Sequence, residues 1–397
     1  MFEVSERIKN LPPYLFAEID RKKKRLISQG HDIIDFGIGD PDMPTPSNII
    51  EAMKEGISIP SYHRYPLGKG MPEFRKAISD YYGKHYDVKI EPASEICVLI
   101  GSKEGIAHFP WAFLNAGDVS LVPEPCYPVY HIGTRLAEGI PFFLPLKKEN
   151  GFMPQLGSIP HKILQKAKIF FLNYPNNPTA AFVERDFLVD VIKFCKKYGI
   201  ILVYDAAYSE IYFEEKPVSF LSLPGAKDVG IEFNSLSKPF NMTGWRIGWA
   251  CGNQQLIAGL AKIKENIDSG TFEAIQFAGI EALCHSYHSV EAMRQTYRLR
   301  RDMLVAGLQK AGFVVEVPRG TFYLWLKVRG SSIKFADELL EYGKIVVTPG
   351  IGFGSSGEGF VRFSLTIKED RIKQAIDRIS EMGELNSNGE KDSHSCG

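Results

Sequence analysis

Short apolar runs of branched and aromatic residues recur along this chain, spaced so that a helix fits between each pair. Ile200-Ile201-Leu202-Val203-Tyr204 ends on Asp205, Lys168-Ile169-Phe170-Phe171-Leu172 runs into Asn173, and Cys97-Val98-Leu99-Ile100 runs into Gly101. Such runs, short and without alternation, suit strands buried on both faces, as in a parallel sheet. Strands are predicted near Cys97, Ser120, Phe142, Ile169, Ile201, Glu232 and Ile247, alternating with helical patterns between Pro46 and Cys284. The fold class is therefore α/β, with a mostly parallel central sheet sandwiched by helices. A long helical stretch from Ser289 to Ala311 leads into a smaller α+β domain, where Gly320–Leu326 and the strand around Arg362 build a second sheet. The charge run Asp20–Arg25 predicts a solvated helical face. The expected organisation is an arm with part of the small domain over 1–45, a large domain over 46–288, a small domain over 289–383, and a polar, disordered tail over 384–397.

Composition narrows the partners. At 397 residues, 44% apolar and 24% charged, the chain is too long for one simple core and suits two domains. Lys+Arg and Asp+Glu number 47 each, so no global field favours nucleic acid or an anionic membrane, and small molecules are the expected partners. Cys97, Cys126, Cys195, Cys251, Cys284 and Cys396 show neither the paired spacing of a zinc site nor a disulfide framework. No metal is expected, and a reducing cytoplasm fits. No apolar run has the length of a membrane span, and the first residues lack the apolar stretch of a signal peptide.

The chemistry concentrates in Ser235-Leu236-Ser237-Lys238-Pro239-Phe240-Asn241-Met242-Thr243-Gly244-Trp245-Arg246-Ile247-Gly248. A lysine in a turn is ordinarily a solvated surface residue. Lys238, however, has two hydroxyls just before it and an arginine eight positions on, a set able to form an imine while its neighbours hold a phosphate. Asp205 closes a strand, where a residue faces the ligand crevice of an α/β sheet. A carboxylate there needs a cationic partner, such as the protonated nitrogen of a pyridoxal ring. Tyr208 is placed three residues on to donate to the phenolic oxygen of such a ring, and Asn177 lies in the loop Tyr174-Pro175-Asn176-Asn177-Pro178-Thr179 after another strand. Gly101-Ser102-Lys103 joins a strand to a helix, a turn whose backbone N–H groups can cradle an anion. Arg362, between apolar neighbours in Phe360-Val361-Arg362-Phe363-Ser364, suits bidentate capture of a carboxylate.

Together these residues resemble the class I/II aminotransferases, the fold-type-I family of pyridoxal-phosphate enzymes, from about Asp35 to Met382. The resemblance implies pyridoxal 5'-phosphate as cofactor and ping-pong transfer of an amino group between an L-amino acid and a 2-oxo acid. It makes Lys238 the Schiff-base residue, pairs Asp205 with the pyridine nitrogen, and sets Tyr208 and Asn177 on the ring oxygen. Ser102, Lys103, Ser235, Ser237 and Arg246 match the phosphate site, and Tyr127 matches the aromatic stacked on the ring. Tyr65 matches the tyrosine that reaches the phosphate of the neighbouring subunit, which implies a homodimer with shared active sites. Arg362 matches the arginine for the α-carboxylate, and Gly39 the loop lying over it. Where the family usually has glycine after Asn-Pro-Thr, this chain has Ala180.

Leu11-Pro12-Pro13-Tyr14-Leu15-Phe16, the Asn177 loop, the Lys238 stretch and Asn266-Ile267-Asp268-Ser269-Gly270 resemble LL-diaminopimelate aminotransferases more than the aspartate, alanine or aromatic branches. That subfamily moves an amino group between L-glutamate and tetrahydrodipicolinate in lysine synthesis, and Tyr14 matches its substrate-contacting tyrosine. Substrate contacts are thus expected from Tyr14, Gly39, Tyr65, Lys103, Tyr127, Asn177 and Arg362. One departure stands out: where the subfamily commonly carries a glutamate for the distal ammonium, this chain reads Leu67-Gly68-Lys69-Gly70. Lys69 would repel an ammonium, so the distal end is recognised otherwise, with Glu273 as a candidate, or the substrate differs. The alternatives are a general alanine, aspartate or aromatic aminotransferase, a pyridoxal-phosphate C–S lyase of the same fold, and a cofactor-binding regulator.

Overall fold

The computed structural model describes residues 2–9, 11, 16–66 and 68–392. Twelve strands are found among the described residues: β1 (Ile34–Asp35), β2 (Ile96–Leu99), β3 (Val119–Glu124), β4 (Ile140–Pro145), β5 (Ala167–Asn173), β6 (Ile201–Asp205), β7 (Gly230–Ser235), β8 (Gly248–Gly252), β9 (Tyr323–Lys327), β10 (Ile345–Val346), β11 (Thr348–Pro349) and β12 (Phe360–Ser364). Seven form one sheet in the order β2-β8-β7-β6-β5-β3-β4. All neighbours run parallel except β8, which is antiparallel to β2 and β7. Each predicted strand position falls in or beside one of the seven, with Ile247 just ahead of β8.

The strands are apolar throughout because both faces are covered. Along β5 and β6, Phe170, Leu172, Leu202 and Tyr204 enter one core, while Ile169, Phe171 and Val203 enter another on the opposite face. This is the period-two alternation of a pleated strand, made invisible in the sequence by burial on both sides. Helices Ser102–Phe113 and Gln254–Ile267 close the second core through Ile106, Phe109, Ile257 and Leu260. Helices Pro72–Tyr86, Arg185–Tyr198 and Glu273–His285 close the first through Phe74, Ile78, Leu188, Val191 and Ala278.

A second, antiparallel sheet has the order β11-β12-β9, and β1 pairs in parallel with β10. That pairing draws residues 34–36 out of the amino-terminal part and fixes them beside β12, where Ser364 N donates to Phe36 O. The long helix Tyr287–Lys310 lies against helix Glu369–Asp392, with Gly307 facing Ile376. The basic run lies in helix Phe16–Ser28.

The helix begun at Glu369 continues through Asp392, so residues 384–392 are helical, while 393–397 lie outside the described residues. Once Ile372, Ala375 and Ile379 anchor the first turns in the core, each added residue gains a hydrogen bond without a new nucleation cost.

Candidate active site

The carboxyl ends of β5, β6 and β7 lie side by side, since Asn173 pairs with Asp205 and Asp205 with Phe233. Three of the expected residues, Asp205, Ser235 and Lys238, leave the sheet at this edge. Asp205 is 4% exposed, and Tyr130 Oη donates to its Oδ2 at 2.7 Å while Ala207 N donates to Oδ1 at 3.1 Å. Burial pushes the carboxyl up to about 6, against the pull of the Tyr130 and Ala207 bonds and the charge of Lys238. Such a group calls for a cation.

Asn173 ties the next loop in place. Its Nδ2 donates to Asp205 O at 2.8 Å, and its Oδ1 accepts from Asn177 N at 2.8 Å. Asn176 Oδ1 accepts from Thr179 N and Oγ1 and holds the turn that follows. The side chain of Asn177 is left to face β12, where Arg362 Nη1 donates to its Oδ1 at 2.8 Å.

Arg362 is 7% exposed. Its Nη2 donates to Gly37 O at 3.0 Å, and its guanidinium lies 4.2 Å from the ring centre of Tyr323 and 4.7 Å from that of Phe353. Its Nε has no hydrogen-bond partner among the described residues. A buried guanidinium without a carboxylate and with an unused donor is an anion site by its chemistry. Gly39 is hemmed in, because a β-carbon there would lie 2.1 Å from Tyr323 Oη. The carbonyl of Gly39 accepts from Lys238 Nζ at 3.1 Å.

Removal from water lowers the Lys238 amine to about 8; Asp40 and Asp205 oppose this while Arg362 and Arg246 reinforce it. A lysine so placed loses its proton far more readily near neutral pH than an ordinary one, as a nucleophile and proton carrier must. Tyr208 Oη lies 2.9 Å from Tyr323 Oη, and burial holds its phenol well above the ordinary value.

The anion cradle is built by close approach. Gly101, at φ +75°, caps helix Ser102–Phe113, and a β-carbon on it would lie 2.3 Å from the Arg246 guanidinium. Gly248 is equally tight, its β-carbon position being 2.8 Å from Ser102 N. Ser235 Oγ donates to Ile247 O at 3.2 Å and accepts from Ser237 N at 3.0 Å, which folds the strand end onto the Arg246 segment. Arg246 itself is exposed, and Lys103 Nζ stands 5.8 Å from the ring centre of Tyr127.

Tyr65, expected to serve the neighbouring subunit, is 92% exposed, and Tyr14 lies outside the described residues. Sequence reading passed over Tyr130, Asn173 and Tyr323 as site residues. Asn173 stood in a quoted motif, and Tyr130 follows Tyr127 by three residues; the role of Tyr323 depends on strand register, which no local pattern carries.

Glu104, His108 and Asp268 also converge, but the fully buried Lys264 ammonium already meets Glu104 Oε2 at 3.3 Å and Asp268 at 2.8 and 3.0 Å. Among the described residues, no helix is long and apolar enough to cross a membrane.

Comparison with known proteins agrees with this geometry. Residues 31–379 match the family model for aminotransferase class I and II. LL-diaminopimelate aminotransferase of Aquifex aeolicus (strain VF5) is 52% identical over 385 residues, covering 96% of this chain and 100% of the relative. The enzyme of the same name from Halothermothrix orenii is 53% identical over 380 residues, covering 95% and 98%. Among solved structures, substrate-bound BacF from Bacillus subtilis superposes with a TM-score of 0.93 at 36% identity, covering 96% and 98%, and a Thermus thermophilus aspartate aminotransferase mutant with 0.90 at 28%, covering 96% and 100%. A family match across most of the chain and half-identical relatives across nearly all of it make this protein a member of the class I and II aminotransferases, a family that depends on pyridoxal phosphate.

Proposed function

We propose that the chain transfers the amino group of LL-2,6-diaminopimelate to 2-oxoglutarate, giving tetrahydrodipicolinate and L-glutamate, as a cytoplasmic pyridoxal-phosphate homodimer in lysine synthesis. The observation that carries the chemistry is the half-buried Lys238 amine, lowered to about 8 and donating to Gly39 O at 3.1 Å, within the fields of Asp205 and Arg362. The substrate rests on relatives bearing that activity in their names at 52% and 53% identity over nearly the whole chain.

The residues fit the cofactor on three counts. The raised Asp205 carboxyl wants a cation, the glycine-lined cradle under Arg246 leaves backbone N–H groups for a phosphate, and the Arg362 Nε is an unused buried donor. Pyridoxal phosphate, when bound, supplies the carbonyl that takes up an amino group and the electron sink that lets the α-proton leave. Ser102, Lys103, Ser235, Ser237 and Arg246 hold its phosphate, Tyr127 covers a ring face, and Asn177 and Tyr208 bond its ring oxygen. Asp205 keeps the ring nitrogen cationic.

Lys238 anchors the cofactor and, once its amine is free, moves the proton at the substrate α-carbon. Arg362 takes the α-carboxylate in its fork beside Asn177, under the Gly39 loop. Tyr65 serves the second subunit, in keeping with an aromatic side chain left 92% exposed in one chain. Tyr14 and Glu273 are the candidates for the distal end.

Lys238→Ala should lose the visible absorbance of the bound cofactor and at least about a thousandfold in turnover. Wild-type activity in that variant would refute the assignment. Rates over a panel of amino donors decide the substrate, and light scattering decides the dimer.

A further inference from the structure

Tyr323 touches three parts of the site at once. It lies in β9 two residues before Trp325, which pairs with Arg362 of β12, so Tyr323 and Arg362 are diagonal neighbours on one face. Its ring centre is 4.2 Å from the Arg362 guanidinium carbon, and its hydroxyl is 2.9 Å from that of Tyr208. The same hydroxyl sits against Gly39, where a β-carbon would come within 2.1 Å of it. At 2% exposure Tyr323 is buried.

We propose that Tyr323 is a positioning residue with two separable roles: its hydroxyl donates to Tyr208 and so turns the Tyr208 proton toward the crevice, and its ring orients the Arg362 fork for a carboxylate. The proposal rests on the pyridoxal-phosphate reading above, in which Tyr208 donates to the cofactor.

Each phenol brings one proton, and the bond between them uses only one. If Tyr208 donated, the remaining proton would sit on Tyr323, against Gly39. Among the described residues neither hydroxyl has another hydrogen-bond partner. When Tyr323 donates, the free proton belongs to Tyr208, at the crevice. The cation over the Tyr323 ring favours this direction, because it withdraws electron density and strengthens that phenol as a donor. Burial, reinforced by Tyr323 and opposed by Arg362, keeps Tyr208 protonated at any working pH.

The ring acts on the other partner. A guanidinium held against Tyr323 and Phe353 has lost its freedom before a carboxylate arrives, so less order must be imposed on binding.

Tyr323→Phe removes the hydroxyl and keeps the ring, whereas Tyr323→Leu removes both. Each is purified with pyridoxal phosphate, and the pH titration of its visible absorbance is recorded with kcat and KM for the amino donor. The Phe variant should shift the titration by about half a pH unit or more and lower kcat about tenfold, with KM within about twofold. The Leu variant should in addition raise KM about tenfold or more. Tyr323→Met, with an adaptable side chain, replaces Leu if that variant does not fold.

In a Tyr208→Phe background, Tyr323→Phe should move the titration no further, since both act through one bond. A Phe variant with wild-type titration and kcat, or one that raises KM as much as Leu does, overturns the proposal. If Tyr208→Phe itself leaves the titration unmoved, the reading of Tyr208 fails and takes the proposal with it. That result is distinct from a silent Tyr323→Phe beside a responsive Tyr208→Phe.

Discussion

Tyr130 donates its phenolic hydrogen to Oδ2 of Asp205 across 2.7 Å in a fully buried setting, and so aims the carboxylate that the proposed function pairs with the cofactor. Of the groups that stabilise the Asp205 charge against burial, Tyr130 has the largest effect. Tyr130→Phe should therefore raise the Asp205 carboxyl further and move the acid limb of the kcat/KM profile upward by roughly one pH unit. Activity at pH 8 should suffer less than at pH 6. Superimposable profiles for wild type and variant would show that the bond does not tune Asp205.

Asp205 also sets function against stability. Its carboxyl titrates at about 6 in the folded chain against an ordinary 3.8, so the folded state binds the proton more tightly. The favourable contribution is complete below about pH 4 and is lost as pH rises through about 6, a swing on the order of 3 kcal/mol. Cofactor-free Asp205→Asn should accordingly resist thermal unfolding at pH 7–8 better than wild type, and the two should converge near pH 4. With cofactor, the same variant should lose at least about tenfold in rate, since the ring nitrogen no longer has an anionic partner. A less stable variant at pH 8 would mean that the buried charge is better compensated than its surroundings indicate.

The residues that carry chemistry on strand ends and in turns were legible because their signals are local. An apolar run closing on Asp205, or two hydroxyls before Lys238, needs no knowledge of what lies across the sheet. Tyr323 and Tyr130 needed that knowledge. Nothing in Gly320-Thr321-Phe322-Tyr323 says that β9 lies beside β12 in a register that brings Tyr323 diagonally under Arg362. The same holds for Glu124 at the end of β3, which accepts from Ser355 Oγ, Ser356 N and Ser356 Oγ and so fastens the second sheet's loop to the first sheet.

Lys264 supports the loop of Ser102 and Lys103 from below. Its ammonium, with no exposed surface, bridges Glu104 and Asp268, and Glu104 in turn accepts from Ile100 N and meets His108 Nδ1 at 3.0 Å. Burial works against the Glu104 charge, yet the bond from His108 and the charge of Lys264 hold it below the usual range. Lys264→Met would leave two carboxylates facing each other without the cation, and breaking such a buried pair costs about 3–5 kcal/mol. The expected result is a fall of several degrees in the thermal midpoint together with weaker uptake of pyridoxal phosphate. An unchanged midpoint would show that water reaches the carboxylates readily.

Specificity separates along the substrate. In the proposed function Arg362 meets the α-carboxylate that every amino donor shares, so Arg362→Ala should lower kcat/KM for all of them by a hundredfold or more, corresponding to roughly 3 kcal/mol or above. Arg362→Lys should recover little, because an ammonium keeps the charge but not the planar fork that Asn177 and Gly37 orient. Tyr14 and Glu273, assigned to the distal end, should behave differently. Their replacement should harm LL-diaminopimelate, whose far ammonium and carboxylate must be paired when buried, and leave alanine unaffected. Glu273 opens helix Glu273–His285 with its carboxyl raised by burial and by neighbouring Glu73, a pair of acids that an ammonium would relieve. The measurement is kcat/KM for LL-diaminopimelate, its meso isomer, aspartate, alanine and phenylalanine in wild type and these variants. A wild type that prefers alanine or phenylalanine would remove the diaminopimelate assignment while leaving the aminotransferase chemistry of Lys238 intact, and Lys69, standing where an ammonium-binding glutamate was expected, would then be the residue to explain it.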